Sequence, residues 1–417
     1  MISDRLPRKI IAALPFMTYV CHRLTTFSHT KSLPCSVNIL HKPIEPMKKV
    51  VIATDSFKGS LSSLEAGDAL RCGLLSVWKD ARVKVVAVAD GGEGTAEVLV
   101  ASCRGEWREV GCSDPLGRRI VARYGLCGTT AVMDVASAAG YTLLSPEERN
   151  PMMASSRGVG ELIATALRSG AESVCIGVGG SATCDGGAGL LQGLGYELLD
   201  RDGRVIRGCG ETLLHIESIR SDGAVAIDGR VKVLADVDNP LCGERGAARV
   251  FAPQKGATPE QVEMLERGLR HFAEVVERHF GRPMSEVEGA GAAGGIGGTL
   301  YALGATIVRG AEAVVEAVGL ERELQDADLV ITGEGRIDSQ TTMGKVASEV
   351  LRIGRKSGVD VVAVGGSVVR CHEVDECGFA AIYVATPEAM PLREALQKEV
   401  ATANLQRIGA EIARKWS

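Results

Sequence analysis

The sequence predicts an α/β protein with a mainly parallel sheet. Two observations carry this. Short β-branched runs recur along the chain, each ending in Asp, Glu or Gly. Near-continuous Val/Ile runs of that kind read as strands buried on both faces. Amphipathic helical patterns lie between them, and alternating strands and helices go with parallel pairing. The 417 residues exceed a common domain of about 150, so two domains or one large α/β unit are expected.

The elements follow in order. Val50-Val-Ile-Ala-Thr-Asp55 is the first strand run. Ser62-Ser-Leu-Glu65 has capping-box spacing and opens an apolar stripe through Leu70, Leu74 and Val77. Val83-Lys-Val-Val-Ala-Val-Ala-Asp90 runs into Gly91-Gly-Glu-Gly94. Cys112-Ser-Asp-Pro-Leu-Gly117 is a turn, Arg119-Ile-Val-Ala-Arg-Tyr-Gly125 alternates with period two, and Ala131-Val-Met-Asp-Val135 follows. This is hairpin grammar, and it predicts an inserted subdomain with an antiparallel part. Val159, Leu162, Ile163, Ala166 and Leu167 share one helical face. Ser173-Val-Cys-Ile-Gly-Val-Gly179 and Val231-Lys-Val-Leu-Ala-Asp236 are further strand runs. Thr258-Pro-Glu-Gln261 is a second capping box, with a stripe through Val262, Leu265, Leu269, Phe272, Val276 and Phe280. Asp328-Leu-Val-Ile-Thr-Gly333 and Val359-Asp-Val-Val-Ala-Val-Gly365 complete the set.

Composition narrows the function. Lys+Arg 47 against Asp+Glu 52 gives a net charge of −5, which argues against a nucleic-acid or anionic-membrane partner. Aromatic residues are only 4%, too few for a base-stacking surface. Hydrophobic residues reach 45%, enough for a large core. Glycine is 51 of 417, above the usual ~7%, and the excess points to turns and loops where backbone meets ligand. The twelve cysteines lack C-x-x-C spacing and are expected to be small buried hydrophobes in a reducing compartment. The longest apolar stretch, residues 10–21, contains Pro15 and Thr18 and falls short of the roughly 20 residues of a spanning helix. Residues 1–46 differ in composition, with His22, His29 and His41 and few acids. They are expected to be a disordered extension, a presequence or the product of a misassigned start, with Met47 the true one.

The polar ends of the strand runs share a location, because open parallel sheets bind ligands beyond the carboxyl ends of their strands. An acidic, glycine-lined cleft is therefore expected. Grouped acids repel and raise each other's pKa. A cation would relieve them, and Mg²⁺ is the usual partner of a carboxylate-plus-phosphate site. Asp55-Ser-Phe-Lys58 places an acid, a hydroxyl and a cation before a capped helix, where Lys58 could hold a carboxylate or a phosphate. Asp90-Gly-Gly-Glu-Gly94 pairs Asp90 and Glu93. In Gly177-Val-Gly-Gly-Ser-Ala-Thr-Cys-Asp-Gly-Gly187, Gly179, Gly180, Ser181 and Thr183 could form an anion nest. Asp185 within it is the first candidate for general base, and Asp236 the second. Gly333-Glu-Gly-Arg-Ile-Asp338 offers Gly333, Gly335 and Arg336 to phosphate and Glu334 and Asp338 to a metal, with Lys345 beyond. The glycine-rich run from Gly289 to Gly298 is either a second phosphate loop or close helix packing. No G-x-x-x-x-G-K-[ST], G-x-S-x-G or protein-kinase signature occurs. Chemistry then rests on Asp, Glu, Lys and Arg, which suits phosphoryl transfer.

Together these loops resemble the glycerate kinase family of bacteria, in its branch without Walker motifs. The carrying segments are Asp55-Ser-Phe-Lys58, Asp90-Gly-Gly-Glu-Gly94, Asn150-Pro with Ser156-Arg-Gly-Val-Gly-Glu161, the run Gly177 to Gly187, Asp236-Val-Asp-Asn-Pro-Leu-Cys-Gly243, Phe251-Ala-Pro-Gln-Lys-Gly256, the glycine-rich run from Gly289, and Gly333-Glu-Gly-Arg-Ile-Asp338. They keep the family's order across residues 47–400. The resemblance implies an ATP- and Mg²⁺-dependent kinase that converts D-glycerate to 2-phosphoglycerate. It also implies a Rossmann-like parallel-sheet domain from residues 47–108 and 305–417, an inserted α/β domain at 109–304, and a cleft between them. Thr54 stands where the family pattern has proline, and Cys184 where it has asparagine. Glycerate is expected near Asp55, Ser56, Asp90, Glu93 and Arg157, its carboxylate held by Lys58, Arg157 or a helix N-terminus. The enzyme is expected in the cytoplasm as a monomer or homodimer. A catalytically silent sugar-acid sensor is the rival reading.

Overall fold

A computed structural model describes residues 48–342 and 344–416; the expectations for residues 1–46 lie outside these. The strands among the described residues are β1 (Lys49–Thr54), β2 (Arg82–Val85), β3 (Glu106–Ser113), β4 (Arg119–Cys127), β5 (Thr130–Asp134), β6 (Ser173–Gly177), β7 (Glu197–Leu199), β8 (Ser218–Arg220), β9 (Val231–Leu234), β10 (Thr306–Val308), β11 (Leu329–Ile337), β12 (Val361–Val368) and β13 (Ala381–Val384). They build a five-stranded sheet, β13-β12-β11-β1-β2, and a six-stranded sheet, β10-β9-β6-β5-β4-β3, with β7-β8 as a separate pair.

Every pairing in the five-stranded sheet is parallel. Its interior strand β1 shows why the sequence lacks alternation. Val50 and Ile52 pack on one side with Leu70 and Leu74 of the helix Ser63–Val77 and Leu405 and Ile408 of the helix Lys398–Lys415. Val51 and Ala53 pack on the other with Val346 and Val350 of the helix Val346–Ser357. Both faces are covered, so both need apolar side chains. The six-stranded sheet is parallel through β5, β6, β9 and β10 and antiparallel through β3, β4 and β5. The expected hairpin is the β3–β4 pair, turned by Asp114, whose Oδ1 accepts the N–H groups of Leu116 and Arg118.

Two connectors lie between the sheets. The helix Thr95–Cys103 sets Val98 and Leu99 against Val132 and Leu234 of the six-stranded sheet. The helix Gly310–Ala317 adds Val314 to that cluster and sends Ala311 and Val315 into the core under β1. Both connectors meet the carboxyl ends of the strands, and the site lies there.

Three expectations need correction. β2 stops at Val85, with one further bond from the Val86 N–H to Ile52 of β1, so residues 87–89 are no longer strand before Asp90. β11 runs on through Glu334 to Ile337, paired with β12 as far as Val368, so Gly333, Glu334, Gly335 and Arg336 stand on a strand and not on a loop. Cys103 and Cys127 form a disulfide; the end of one helix and the end of β4 bring together two cysteines 24 residues apart, which spacing rules do not reveal. The glycine-rich segment 289–298 is packing: its Gly294 lies so near the Thr183 carbonyl that a Cβ would stand 2.0 Å from that oxygen. No helix among the described residues is long and apolar enough to cross a membrane.

Candidate active site

The loop Asp90-Gly-Gly-Glu-Gly94 is the hub. Gly91, at φ +83°, lies where a Cβ would stand 2.9 Å from the Leu234 carbonyl at the end of β9. A Cβ on Gly179, just past β6, would stand 2.5 Å from Gly92 Cα. Only glycine allows these approaches. At the far end of the hub, Asp134, the last residue of β5, accepts the Gly94 N–H at 3.0 Å and the Ala96 N–H at 3.1 Å. It thereby closes the first turn of the helix Thr95–Cys103 and pins the hub to the six-stranded sheet. Burial pushes the Asp134 carboxyl up to about 8, with Glu97 adding and the two N–H groups opposing.

The five-stranded sheet reaches the hub through Lys58, whose Nζ lies 3.1 Å from Asp90 Oδ2. Asp90 Oδ1 in turn accepts the Gly92 N–H at 2.9 Å. Partial desolvation opposes the Lys58 charge, but Asp90 and Asp55 outweigh it and hold the ammonium above its ordinary pKa. Asp55 follows β1 and is 6% exposed. Burial, then repulsion from Asp90, pushes it up to about 7, against the pull of Lys58 and the Ser56 N–H. Glu334 on β11 is raised by burial and by Asp90, while Thr341 and Lys345 work the other way. Its Oε1 is buried and has no hydrogen-bond partner. Asp236, past β9, faces the N-terminus of the helix Gly310–Ala317, with Ala311 N 3.1 Å from Oδ1 and 3.2 Å from Oδ2. Burial lifts it to about 7, Asp90 adds to this, and the Ala311 N–H and Arg309 oppose it. Asp90 thus acts on Asp55, Asp236, Glu334 and Lys58 together.

Other predicted residues fall elsewhere. Asp185 is fully buried. Its Oδ2 accepts both the N–H and the hydroxyl of Ser156 at 2.8 Å and the Gly189 N–H at 3.1 Å, and its Oδ1 accepts the Gly187 N–H at 3.2 Å. Burial raises its pKa and those four bonds oppose the rise. In this structure the enclosed carboxylate fastens the start of the helix Ala188–Leu194 to Ser156, and nothing among these contacts turns it toward the hub. Ser181 and Thr183 also turn inward. Lys255 Nζ donates to Ser181 Oγ at 2.8 Å and to the Thr183 carbonyl at 2.7 Å, and Thr183 is fully buried. Gly179 and Gly180 remain at the hub, where Glu93 Oε2 lies 3.3 Å from the place of a Cβ on Gly180.

Arg157 pairs with Glu161 on its own helix at 2.9 Å, and Glu161 holds the Ser113 N–H; among the described residues this is where Arg157 finds its ion-pair partner. Arg336 pairs with Asp338 at 3.1 Å. Asp338 also accepts the Gln340 N–H, so it is already engaged by its own turn. Gly333 is a strand contact, its Cβ position 2.3 Å from the Val364 carbonyl. Gly335 runs beside Phe57 and Lys58. Among the described residues no group of three or more His, Cys, Asp or Glu side chains stands ready to hold a metal ion. The donors that fit one are Glu334, with its unpartnered oxygen, and Asp90, whose charge bears on it; one or two carboxylates plus substrate phosphates are the usual Mg²⁺ set.

Three residues went unassigned in the sequence. Asp134 ends an apolar run, the same signal that marked Asp55 and Asp236, but the hairpin reading masked it. Arg309 precedes a glycine that starts a helix. Lys255 lies in the segment Phe251-Ala-Pro-Gln-Lys-Gly256, with nothing nearby to announce burial; burial lowers it to about 8.

A parallel sheet beside a mixed sheet, with a hub of carboxylates and one lysine at the strand ends, places the chain among α/β proteins with a charged site. Comparison with known proteins narrows that class. The glycerate kinase family model matches residues 50–417. A glycerate kinase of Bacillus subtilis (strain 168) is 44% identical over 374 residues, covering 88% of this chain and 97% of that protein. The glycerate 2-kinase of Escherichia coli (strain K12) is 43% identical over 341 residues, 78% of this chain and 89% of that protein. The crystal structure of a candidate glycerate kinase 2 from Salmonella typhimurium LT2 superposes with a TM-score of 0.76 at 41% identity, covering 89% of this chain and 98% of that one. The chain belongs to the glycerate kinase family and is a kinase.

Proposed function

We propose that this enzyme transfers the γ-phosphoryl group of ATP to the 2-hydroxyl of D-glycerate, giving 2-phosphoglycerate and ADP. The observation that carries the reading is the Lys58–Asp90 ion pair at the strand ends, set with the buried Asp55, the helix-facing Asp236 and the unpartnered buried oxygen of Glu334. Phosphoryl transfer needs positioning and charge neutralisation more than a nucleophilic side chain. Lys58 and Ser56 hold the glycerate carboxylate. Asp236, with a pKa of about 7, suits a base that works near neutral pH. It takes the proton of the hydroxyl as the new O–P bond forms and the bond to the ADP oxygen breaks. Lys345 and Arg309 offset phosphate charge. Glu334 and Asp90 are the residues to hold Mg²⁺, which supplies further neutralisation when bound. The proposal includes a cytoplasmic enzyme, monomer or homodimer, with residues 47–108 and 305–417 as one domain and 109–304 as the other.

The test is turnover with ATP, Mg²⁺ and D-glycerate, coupled to enolase alone. Enolase signal without a mutase is expected, because only 2-phosphoglycerate feeds it. ADP release without that signal overturns the position or the acceptor. No ADP release from folded protein overturns the activity and returns the sensor.

A further inference from the structure

Thr341, whose hydroxyl bears on Glu334, also lines a cavity of about 630 Å³. Its other walls include Leu351, Arg352 and Arg355 of the helix Val346–Ser357, and Cys377 and Phe379 just past the short helix His372–Glu376. The position is informative. The cavity opens beside the turn that follows β11 and the short helix that follows β12, on the side of the sheet where α/β proteins bind ligands. The volume falls within the range of about 300–1,000 Å³ typical of small-molecule sites. A second cavity of about 420 Å³ lies against β13 and the C-terminal helix and includes none of the acids or cations assigned above.

The lining suits a flat, polar-edged ring. Leu351 is 5% exposed, and the half-buried Phe379 shares its core. Arg352 and Arg355 present planar guanidinium groups, which stack on aromatic rings and also bind phosphate or ribose oxygens. Both are held in place: Arg352 by Glu349, and Arg355 by the Cys377 carbonyl. Thr341 joins this lining to the hub, because its hydroxyl bears on Glu334.

We infer that this groove takes the base and ribose of the phosphoryl donor, an adenine nucleotide, with its phosphates directed past Thr341 toward Glu334. The inference rests on the kinase reading above. It separates the two substrates: the donor lies between β11, β12 and the helix Val346–Ser357, and the acceptor lies at the Lys58–Asp90 hub.

Cys377 allows a test without mutation. The full-length protein is alkylated with iodoacetamide, and labelling of Cys377 is followed by peptide mass spectrometry, with the exposed Cys72 as the internal reference. ADP is expected to slow Cys377 labelling about tenfold, as occupancy of the groove would, and D-glycerate to leave it unchanged. Cys72 should react at one rate throughout. Undiminished Cys377 labelling at saturating ADP, in protein that still phosphorylates glycerate, overturns the donor site and leaves the kinase reading intact. Protection by ADP in protein that does not phosphorylate glycerate supports the donor site and removes the acceptor assignment. In a second arm, Cys377→Trp fills the groove. It should raise KM for ATP about tenfold and change KM for glycerate less than about twofold. An unchanged KM for ATP overturns the inference.

Discussion

Asp185 and Asp236 are both acids beyond strand ends, and they differ in burial and in what satisfies them. Four donors from Ser156, Gly187 and Gly189 surround Asp185, whereas Asp236 is met by the Ala311 N–H at the mouth of a helix and stays half-buried. Asp185→Asn should therefore act on stability. Turning one oxygen into an amide leaves donors facing a donor, a loss of about 1–3 kcal/mol readable as a lower urea midpoint, while kcat of the folded enzyme holds within about threefold. Asp236→Asn should do the reverse, cutting kcat about 100-fold with an unchanged midpoint. An exchange of these two outcomes would restore Asp185 as the base. Lys255 belongs with Asp185. Lys255→Met strips donors from Ser181 Oγ and the Thr183 carbonyl and is expected to cost about 2 kcal/mol in the same denaturation experiment.

The strand runs were legible because both faces of β1 are covered, which demands the unbroken Val50-Val-Ile-Ala run. The capping boxes at Ser62 and Thr258 were legible because their partners lie three residues away. What sets the role of Asp185 was not, since its main donor Ser156 is 29 residues distant. The extension of β11 was also hidden: Gly333-Glu-Gly reads as a loop, yet the neighbouring Gly365-Gly of β12 lets the strands stay paired. Glycines inside helices carry the same kind of distant information. In the helix Ser63–Val77, a Cβ on Gly73 would stand 2.0 Å from the Gln406 carbonyl, and one on Gly409 would stand 2.3 Å from the Leu70 carbonyl. The two helices cross backbone to backbone at this pair. Gly73→Ala should force the helix Lys398–Lys415 outward, although alanine is the better helix former. A loss of about 1–3 kcal/mol is expected from chemical denaturation. A gain in stability, as propensity alone would give, would show that the helices do not meet this closely.

At the scale of the whole molecule, the joint between the sheets is where buried charge accumulates, and that makes stability depend on pH in a definite direction. Asp55, Asp134 and Asp236 share an ordinary value of 3.8 and stand at about 7, 8 and 7 in the folded chain. Between those limits the folded chain keeps protons that the unfolded chain has released, so raising the pH favours unfolding. The loss begins above pH 3.8, grows as the pH climbs, and is complete once the pH passes about 8. Glu65 acts oppositely at the acid end. Its bond to Lys398 holds it at about 2, below its ordinary 4.5, so the stability it lends is present above 4.5 and is lost as the pH falls toward 2. From about pH 5.5 to about pH 8 the raised carboxyls, these three aspartates with Asp185 and Glu334, set the slope, and the thermal midpoint of the ligand-free enzyme should fall across that range. Asp134→Asn removes the acid with the highest of the three values and should make the fall shallower. A midpoint that rises toward pH 8, or a slope that Asp134→Asn leaves untouched, would mean that these carboxyls are solvated in solution and that the joint is more open than its packing indicates.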